Sequence, residues 1–266
     1  MSTVVSRLLV AIPGLVLVLG AAYLGGWFLF ALAGVGALLA LHEFYRLARQ
    51  LRPLVLAGYG GALGALFGAE LGGLDWMVGG FLASFVLAFV FAAVSETRQS
   101  TTVAIGTTVL GAAWIGLGLG SLLLIRETTE GDHLALFAVL LTVFVADTFA
   151  YVGGRIAGRH KMSPVVSPGK TWEGFAVGAI AGTLTTWVWL YEENFLSDGW
   201  HSFVLGAVIV VSAAIGDLFE SLVKRDLGAK DTGRILLGHG GVLDRVDSLL
   251  FAGPAAYFTL LGLGKL

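Results

Sequence analysis

Apolar runs of about 17–25 residues, the length needed to cross a bilayer as a helix, recur along the whole chain. In 266 residues about nine can be read, near 7–24, 27–47, 54–70, 75–94, 101–125, 134–155, 172–191, 202–222 and 246–263. The third is the weakest, being short and rich in glycine (Gly58, Gly60, Gly61, Gly64, Gly68). Composition agrees: 57% of residues are hydrophobic and 13% charged, against about 25% charged in an ordinary soluble domain. Mean hydropathy is +0.88. The expected fold is therefore all-α, a polytopic integral membrane helical bundle of about nine transmembrane helices. Turns between the runs are short, and no internal repeat or low-complexity tract divides the chain. The run after Arg7 is long for a signal-peptide core, and Ala21-Ala22-Tyr23 is a poor cleavage site, so a retained first helix is expected.

Small residues are the second pervasive feature. The chain has 39 glycines, many inside the runs, and in lipid such residues let helices approach closely. There is no cysteine, which excludes disulfides and thiolate metal sites and leaves only O or N ligands for any metal. The net charge of −2 says little, because in a membrane protein the placement of charge outweighs its sum. Threading nine spans puts every one of the 16 Lys and Arg on one side except Arg126 and Lys265. That side, with the N-terminus, is then expected to face the cytoplasm of a multi-pass protein in the cell's inner membrane. The bias persists when the two long basic loops are set aside: Arg7, Arg46, Arg49, Arg52 and Arg98 against Arg126 and Lys265.

Charges inside or beside the apolar runs mark candidate sites, since a carboxylate at a helix centre costs about 2.5–3.5 kcal/mol on insertion scales. Asp147 is the clearest case, with Tyr151 one turn on along the same face. Residues 216–247 form the most polar stretch of the chain, with five Asp, one Glu, two Lys, three Arg and His239 at close spacing around a glycine turn. Asp217 and Glu220 share a helix face at i and i+3, with Ser221 one turn from Asp217. Asp244 and Asp247 repeat the spacing, with Ser248 one turn from Asp244. Carboxylates from two helix ends suit a hard cation, while Lys, Arg and glycine-loop N–H groups suit phosphate oxygens. The competing view, that Asp244 and Asp247 merely offset a helix dipole, leaves Asp217 and Glu220 at a helix C-terminal end unexplained. For His42 and Glu43, with Arg46 three residues on, the expectation is an intrahelical salt bridge.

Two loops flank this stretch. Gly238-His239-Gly240-Gly241 can turn its N–H groups toward an anion at the start of a helix. Residues 155–170, RIAGRHKMSPVVSPGK, form a basic loop in which Ser167-Pro168 reads as a turn and Thr171 as a helix N-cap. It is not a Walker A loop, because Pro164 stands where that motif needs glycine. Lys170 and Glu173 fall at the membrane boundary, at the level of a lipid headgroup.

The run Ser221-x-Val223-Lys224-Arg225, then Lys230-Asp231-x-Gly233, then His239-Gly240-Gly241-Val242-x-Asp244-Arg245-Val246-Asp247 resembles the phosphatidate cytidylyltransferase (CDP-diacylglycerol synthase) signature. Supporting matches are Ala146-Asp147-Thr148-Phe149-Ala150-Tyr151 with Gly154-Arg155, Ser167-Pro168-x-Lys170-Thr171-Trp172-Glu173-Gly174, and Gly216-Asp217-x-x-Glu220. The resemblance covers about 140–255; the first five runs match in hydropathy alone. Where the family has Pro-Gly before His-Gly-Gly, this chain has Leu237-Gly238, a less stiffened loop.

The resemblance implies a membrane enzyme, dimeric in known members, that converts CTP and phosphatidic acid to CDP-diacylglycerol and pyrophosphate. It implies Mg²⁺, leaving a second cation open, held by Asp217 and Asp244. It implies a site shaped further by Asp147, Lys170, Lys224, Arg225, Lys230, Asp231, His239 and Asp247. Substrate contacts are expected from the other matched positions, Tyr151, Arg155, Ser167, Thr171, Glu173, Glu220, Ser221, Gly240, Gly241 and Arg245. His239 is expected to touch phosphate rather than act as a base, since phosphatidate is already ionised. The expected organisation is residues 1–132 for anchoring, packing and dimer contacts, and 133–266 for catalysis. The bilayer is a partner and nucleic acid is not. Two rival readings stay open: a CTP-dependent polyprenol or dolichol kinase, and an ion-coupled transporter using Asp147 and Asp217. Carboxylates gathered at one membrane edge, rather than mid-membrane, speak against transport.

Overall fold

A computed structural model describes residues 3–94, 100–128, 133–191, 196, 199–233 and 240–266. The described residues are almost wholly helical. Helices occupy every stretch read as a span, because continuous apolar sequence can satisfy its backbone in lipid only by internal hydrogen bonds. In order they are α1 (Thr3–Leu24), α2 (Gly26–Leu47), α3 (Val55–Val94), α4 (Thr101–Gly111), α5 (Gly118–Thr128), α6 (His133–Ala157), α7 (Trp172–Trp189), α8 (Gly199–Asp226) and α9 (Leu243–Gly262). The third and fourth runs are the two arms of a helical hairpin within α3, which reverses at Gly73 (φ 75°), so that the backbone of Gly64 lies against that of Gly80 and Gly68 against that of Trp76. Five of the described helical segments are long and apolar enough to cross a membrane by length and composition: 26–51, 55–94, 101–127, 133–157 and 199–226. Their outward faces carry large exposed apolar side chains such as Trp27, Phe28, Phe89 and Phe144, which suit lipid rather than water. The fold is an all-α membrane bundle.

The chain divides into two compact units. The first joins Met1–Glu127 to Leu227–Val246, and the second joins Thr128–Asp226 to Asp247–Leu266. In the first, α2, α3 and α4 pack closely around Tyr45. Its ring fills the space left by Gly58 and Gly111, and its hydroxyl donates to the Thr108 carbonyl at 2.7 Å. The turn between α1 and α2 is closed by α5: Arg126 donates to the carbonyls of Ala22 (3.0 Å) and Tyr23 (3.1 Å), and Glu127 accepts from Gly26 N–H at 3.1 Å.

In the second unit, Gly174, Gly178 and Gly182 face α6 across backbone and alanine atoms, so α6 and α7 pack nearly in contact. The Thr142 and Thr186 hydroxyls bond at 2.6 Å within that seam. Between α6 and α7 lies a two-stranded antiparallel hairpin, β1 (Lys161–Ser163) and β2 (Ser167–Thr171), in register Lys161↔Thr171 and Ser163↔Ser167. The turn falls at residues 164–166, one step before the Ser167-Pro168 turn expected from sequence. Pro168 sits inside β2, which is tolerable because a two-stranded sheet has only edges, where a missing N–H removes no necessary bond.

Candidate active site

The second unit gathers acidic side chains from three helices. Asp217 and Glu220 lie one turn apart near the end of α8, and Asp247 lies in the first turns of α9. Ligand oxygens of these three lie within 4.8 Å of one another. The approach depends on Gly216, where a Cβ would meet the Asp247 carbonyl oxygen at 2.7 Å and the Phe251 side chain at 3.1 Å. Asp147 on α6 stands within electrostatic reach of Asp217, Asp247 and Lys170. Glu220 is buried at 1% exposure and Asp247 at 9%.

Two lysines answer these four carboxylates. Lys170 Nζ lies 2.6 Å from Asp217 Oδ2, and Lys224 pairs with Glu220 one turn back along α8. Lys170 is delivered by β2, and β2 is stapled to α7. Thr171 caps α7 by accepting from Gly174 N–H at 3.2 Å, as the sequence led one to expect. Glu173 accepts the backbone N–H groups of Arg159 (3.0 Å) and His160 (3.2 Å) and pairs with the His160 ring. Arg225 donates to the Val166 carbonyl at 3.3 Å, tying the hairpin to α8. Arg155 donates to the Tyr151 hydroxyl at 3.1 Å. Ser167 and Ser221 are partly exposed.

Negative charge therefore exceeds positive at the cluster when all its carboxylates are ionised. All its acidic donors are hard oxygens, two of the three clustered carboxylates are buried, and the spacing admits one small ion between them. That donor set fits a divalent cation of the Mg²⁺ type, which takes one or two carboxylates and fills its remaining positions with water and phosphate oxygens.

In the first unit a different pair of carboxylates organises the segment before α9. Asp244 accepts Gly241 N–H at 2.8 Å and Thr232 N–H at 3.1 Å. Gly240 adopts the left-handed φ of 82° beside it. Glu43, on α2, accepts Val242 N–H at 3.0 Å, Leu243 N–H at 2.9 Å and the Thr232 hydroxyl at 3.3 Å. The expected salt bridge between Glu43 and Arg46 is thus corrected. Glu43 is buried at 2% exposure and spent on backbone donors, while Arg46 is exposed. Burial inside the bundle made the N–H groups at a helix start better partners than a solvated guanidinium on the same helix.

Sequence reasoning thus missed Glu43, although its position inside an apolar run carried the same signal that singled out Asp147. Lys230, Asp231 and Arg245 are exposed in the first unit. Asp244, expected to share an ion with Asp217, belongs to the first unit and Asp217 to the second. His239, Arg234 and the Leu237-Gly238 pair lie outside the described residues.

Comparison with known proteins adds a family. The model of the cytidylyltransferase family matches residues 5–262. A phosphatidate cytidylyltransferase of Mycobacterium bovis is 34% identical over 257 residues, covering 86% of this chain and 79% of its own. One from Staphylococcus saprophyticus is 34% identical over 262 residues, covering 96% of this chain and 98% of its own. One from Staphylococcus aureus strain COL is 33% identical over 264 residues, with the same coverage.

Proposed function

The chain belongs to the cytidylyltransferase family, and from that premise we propose that it is a nucleotidyltransferase of phospholipid synthesis, acting on CTP and phosphatidic acid. The products are CDP-diacylglycerol and pyrophosphate. The observation that carries the reading is the cluster of Asp217, Glu220 and Asp247 with Lys170 on Asp217, in a bundle whose outer faces suit lipid.

A phosphatidate oxygen attacks the α-phosphorus of CTP, the new O–P bond forms, and the bond to the β-phosphate oxygen breaks as pyrophosphate leaves. Both reactants are anions, so the protein's work is charge neutralisation and in-line positioning. Asp217, Glu220 and Asp247 would hold a divalent cation, and Asp244, one turn ahead of Asp247 on α9, would serve by holding the Gly240-Gly241 turn. Such an ion supplies neutralisation of the triphosphate and of the leaving pyrophosphate. Lys170 and Lys224, already at the cluster, would supply positive charge to phosphate oxygens of the bound substrates. Arg225, Lys230, Arg245, His239 and the Gly240-Gly241 backbone contribute further contacts to the CTP phosphates. Asp231, Asp147, Tyr151, Arg155, Ser167, Thr171, Glu173 and Ser221 line or brace the substrate region. No general base is required, because the attacking phosphate is ionised near neutral pH.

The site faces the cytoplasm in this proposal, with the N-terminus on the same side, and the functional unit is a homodimer. The lack of native cysteine allows single cysteines at residues 52 and 265 to report sidedness by impermeant labelling. The decisive assay incubates purified protein with labelled CTP and phosphatidate, with and without Mg²⁺, and extracts the lipid. A labelled CDP-lipid with pyrophosphate, formed only with the cation, is the expected result. Release of CDP with phosphorylation of a lipid alcohol would instead indicate a kinase.

A further inference from the structure

We propose that Glu43 is a positioning residue for cytidylyl transfer: from α2 it holds in place the backbone of the segment that presents Asp244. The inference rests on the function proposed above and extends it to a residue outside the matched motifs.

A carboxylate buried in an apolar helix persists only where donors answer it. Glu43 has three, and they converge from one segment. Oε1 takes the Val242 N–H at 3.0 Å, and Oε2 takes the Leu243 N–H at 2.9 Å and the Thr232 hydroxyl at 3.3 Å. Val242 and Leu243 carry the first N–H groups of α9, which have no partner within their own helix. Glu43 is in effect an N-cap supplied by another helix. The same segment is held from within by Asp244, which takes the main-chain N–H of Thr232 and of Gly241. Thr232 is therefore gripped twice, by its hydroxyl through Glu43 and by its N–H through Asp244.

Space at the junction is as constrained as hydrogen bonding. A Cβ at Gly233 or at Gly241 would fall on the Glu43 carboxylate. The glycines thus let the segment close around the acid, a role apart from any contact with phosphate. An amide would not replace the acid, because its NH₂ group would face a backbone N–H on one side. Glu43 does not touch the reacting groups in this arrangement. It acts through the orientation of Asp244 and the Gly240-Gly241 backbone.

The test uses the full chain in detergent with mixed phosphatidate micelles, and compares wild type, Glu43→Gln and Thr232→Val. A misplacement of about 1 Å at a reacting centre can cost about 10²-fold. Glu43→Gln is expected to lower kcat/KM for CTP by about 10–100-fold on that basis. KM for phosphatidate should stay within about twofold, since the donors that Glu43 answers belong to the segment assigned to CTP phosphates. Hydrogen exchange should rise in peptides covering 240–246 and stay unchanged in α6 and α7. Thr232→Val, which removes one of the three donors, should show the same pattern more weakly, and it carries the test if Glu43→Gln does not fold. Unchanged CTP kinetics with unchanged exchange at 240–246 would overturn the proposal. So would an equal loss for both substrates with exchange raised throughout. If wild type forms no CDP-lipid, the proposed reaction falls, while the exchange arm still decides whether Glu43 holds the segment.

Discussion

Two sets of carboxylates in this chain face opposite fates. In the second unit, Asp217 and Glu220 are answered by lysine ammonium groups. In the first, Glu43 and Asp244 are answered by backbone N–H groups of a loop and a helix start. An ammonium on a flexible stem can be displaced by a cation and can swing to a phosphate. A backbone N–H cannot leave without unwinding its helix. The first kind of pairing is suited to exchange, the second to holding geometry. Acids in one membrane protein therefore do not imply one role, and the chemistry of the donors separates them.

The sharpest way to break this contrast is to neutralise an acid of the first kind. Asp217→Asn is expected to reduce activity by at least about 10²-fold, as loss of a transition-state electrostatic group does, and to abolish Mn²⁺ binding followed by electron paramagnetic resonance. Retained Mn²⁺ affinity in that variant would remove the cation role of the cluster. Next in size is Gly216→Ala. The added Cβ meets the Asp247 carbonyl oxygen and the Phe251 side chain, so α8 and α9 must part there. Overpacking of this kind costs about 1–3 kcal/mol, read as a lowered thermal midpoint, and Mn²⁺ affinity should fall with it. A variant that melts earlier but binds the ion normally would show that the close approach serves stability alone.

Lys170→Met sharpens the comparison from the other side. With the ammonium gone, Asp217 loses its competitor, so Mn²⁺ should bind more tightly in the absence of nucleotide while KM for CTP rises. Weaker Mn²⁺ binding would mean that Lys170 supports the cluster rather than competing at it. The smallest effect is expected from Thr171→Ala, which removes the cap of α7 and costs about 1 kcal/mol. Circular dichroism melts should register it, and turnover below the melting range should change little. A large loss of turnover would make the hairpin a participant in substrate contact rather than a support for Lys170.

The membrane bundle was legible from hydropathy because insertion depends on local composition. Helix pairs were legible too: Asp217 with Glu220 follows from the 3.6-residue repeat alone. The N-cap at Thr171 could be read because capping is settled within four residues. Glu43 marks the limit of such locality. Its nearest cation in sequence is Arg46, whereas backbone donors to it lie 199 and 200 residues away at Val242 and Leu243. Lys170, likewise, is brought to Asp217 by a hairpin that interrupts the helices, which no periodicity announces.

What the sequence determined by itself was the class of fold, the existence of a charged site in an oily chain, and which acids share a helix face. Those properties depend on neighbours within a few residues, where backbone geometry is the same in every helix. Only the tertiary structure decided which acids meet Lys170 and Lys224 and which acids cap a helix. The reason is physical: periodicity orients a side chain about its own axis, but its partner is chosen by how helices pack, and that depends on where glycines such as Gly216 and Gly241 let backbones and carboxylates come together.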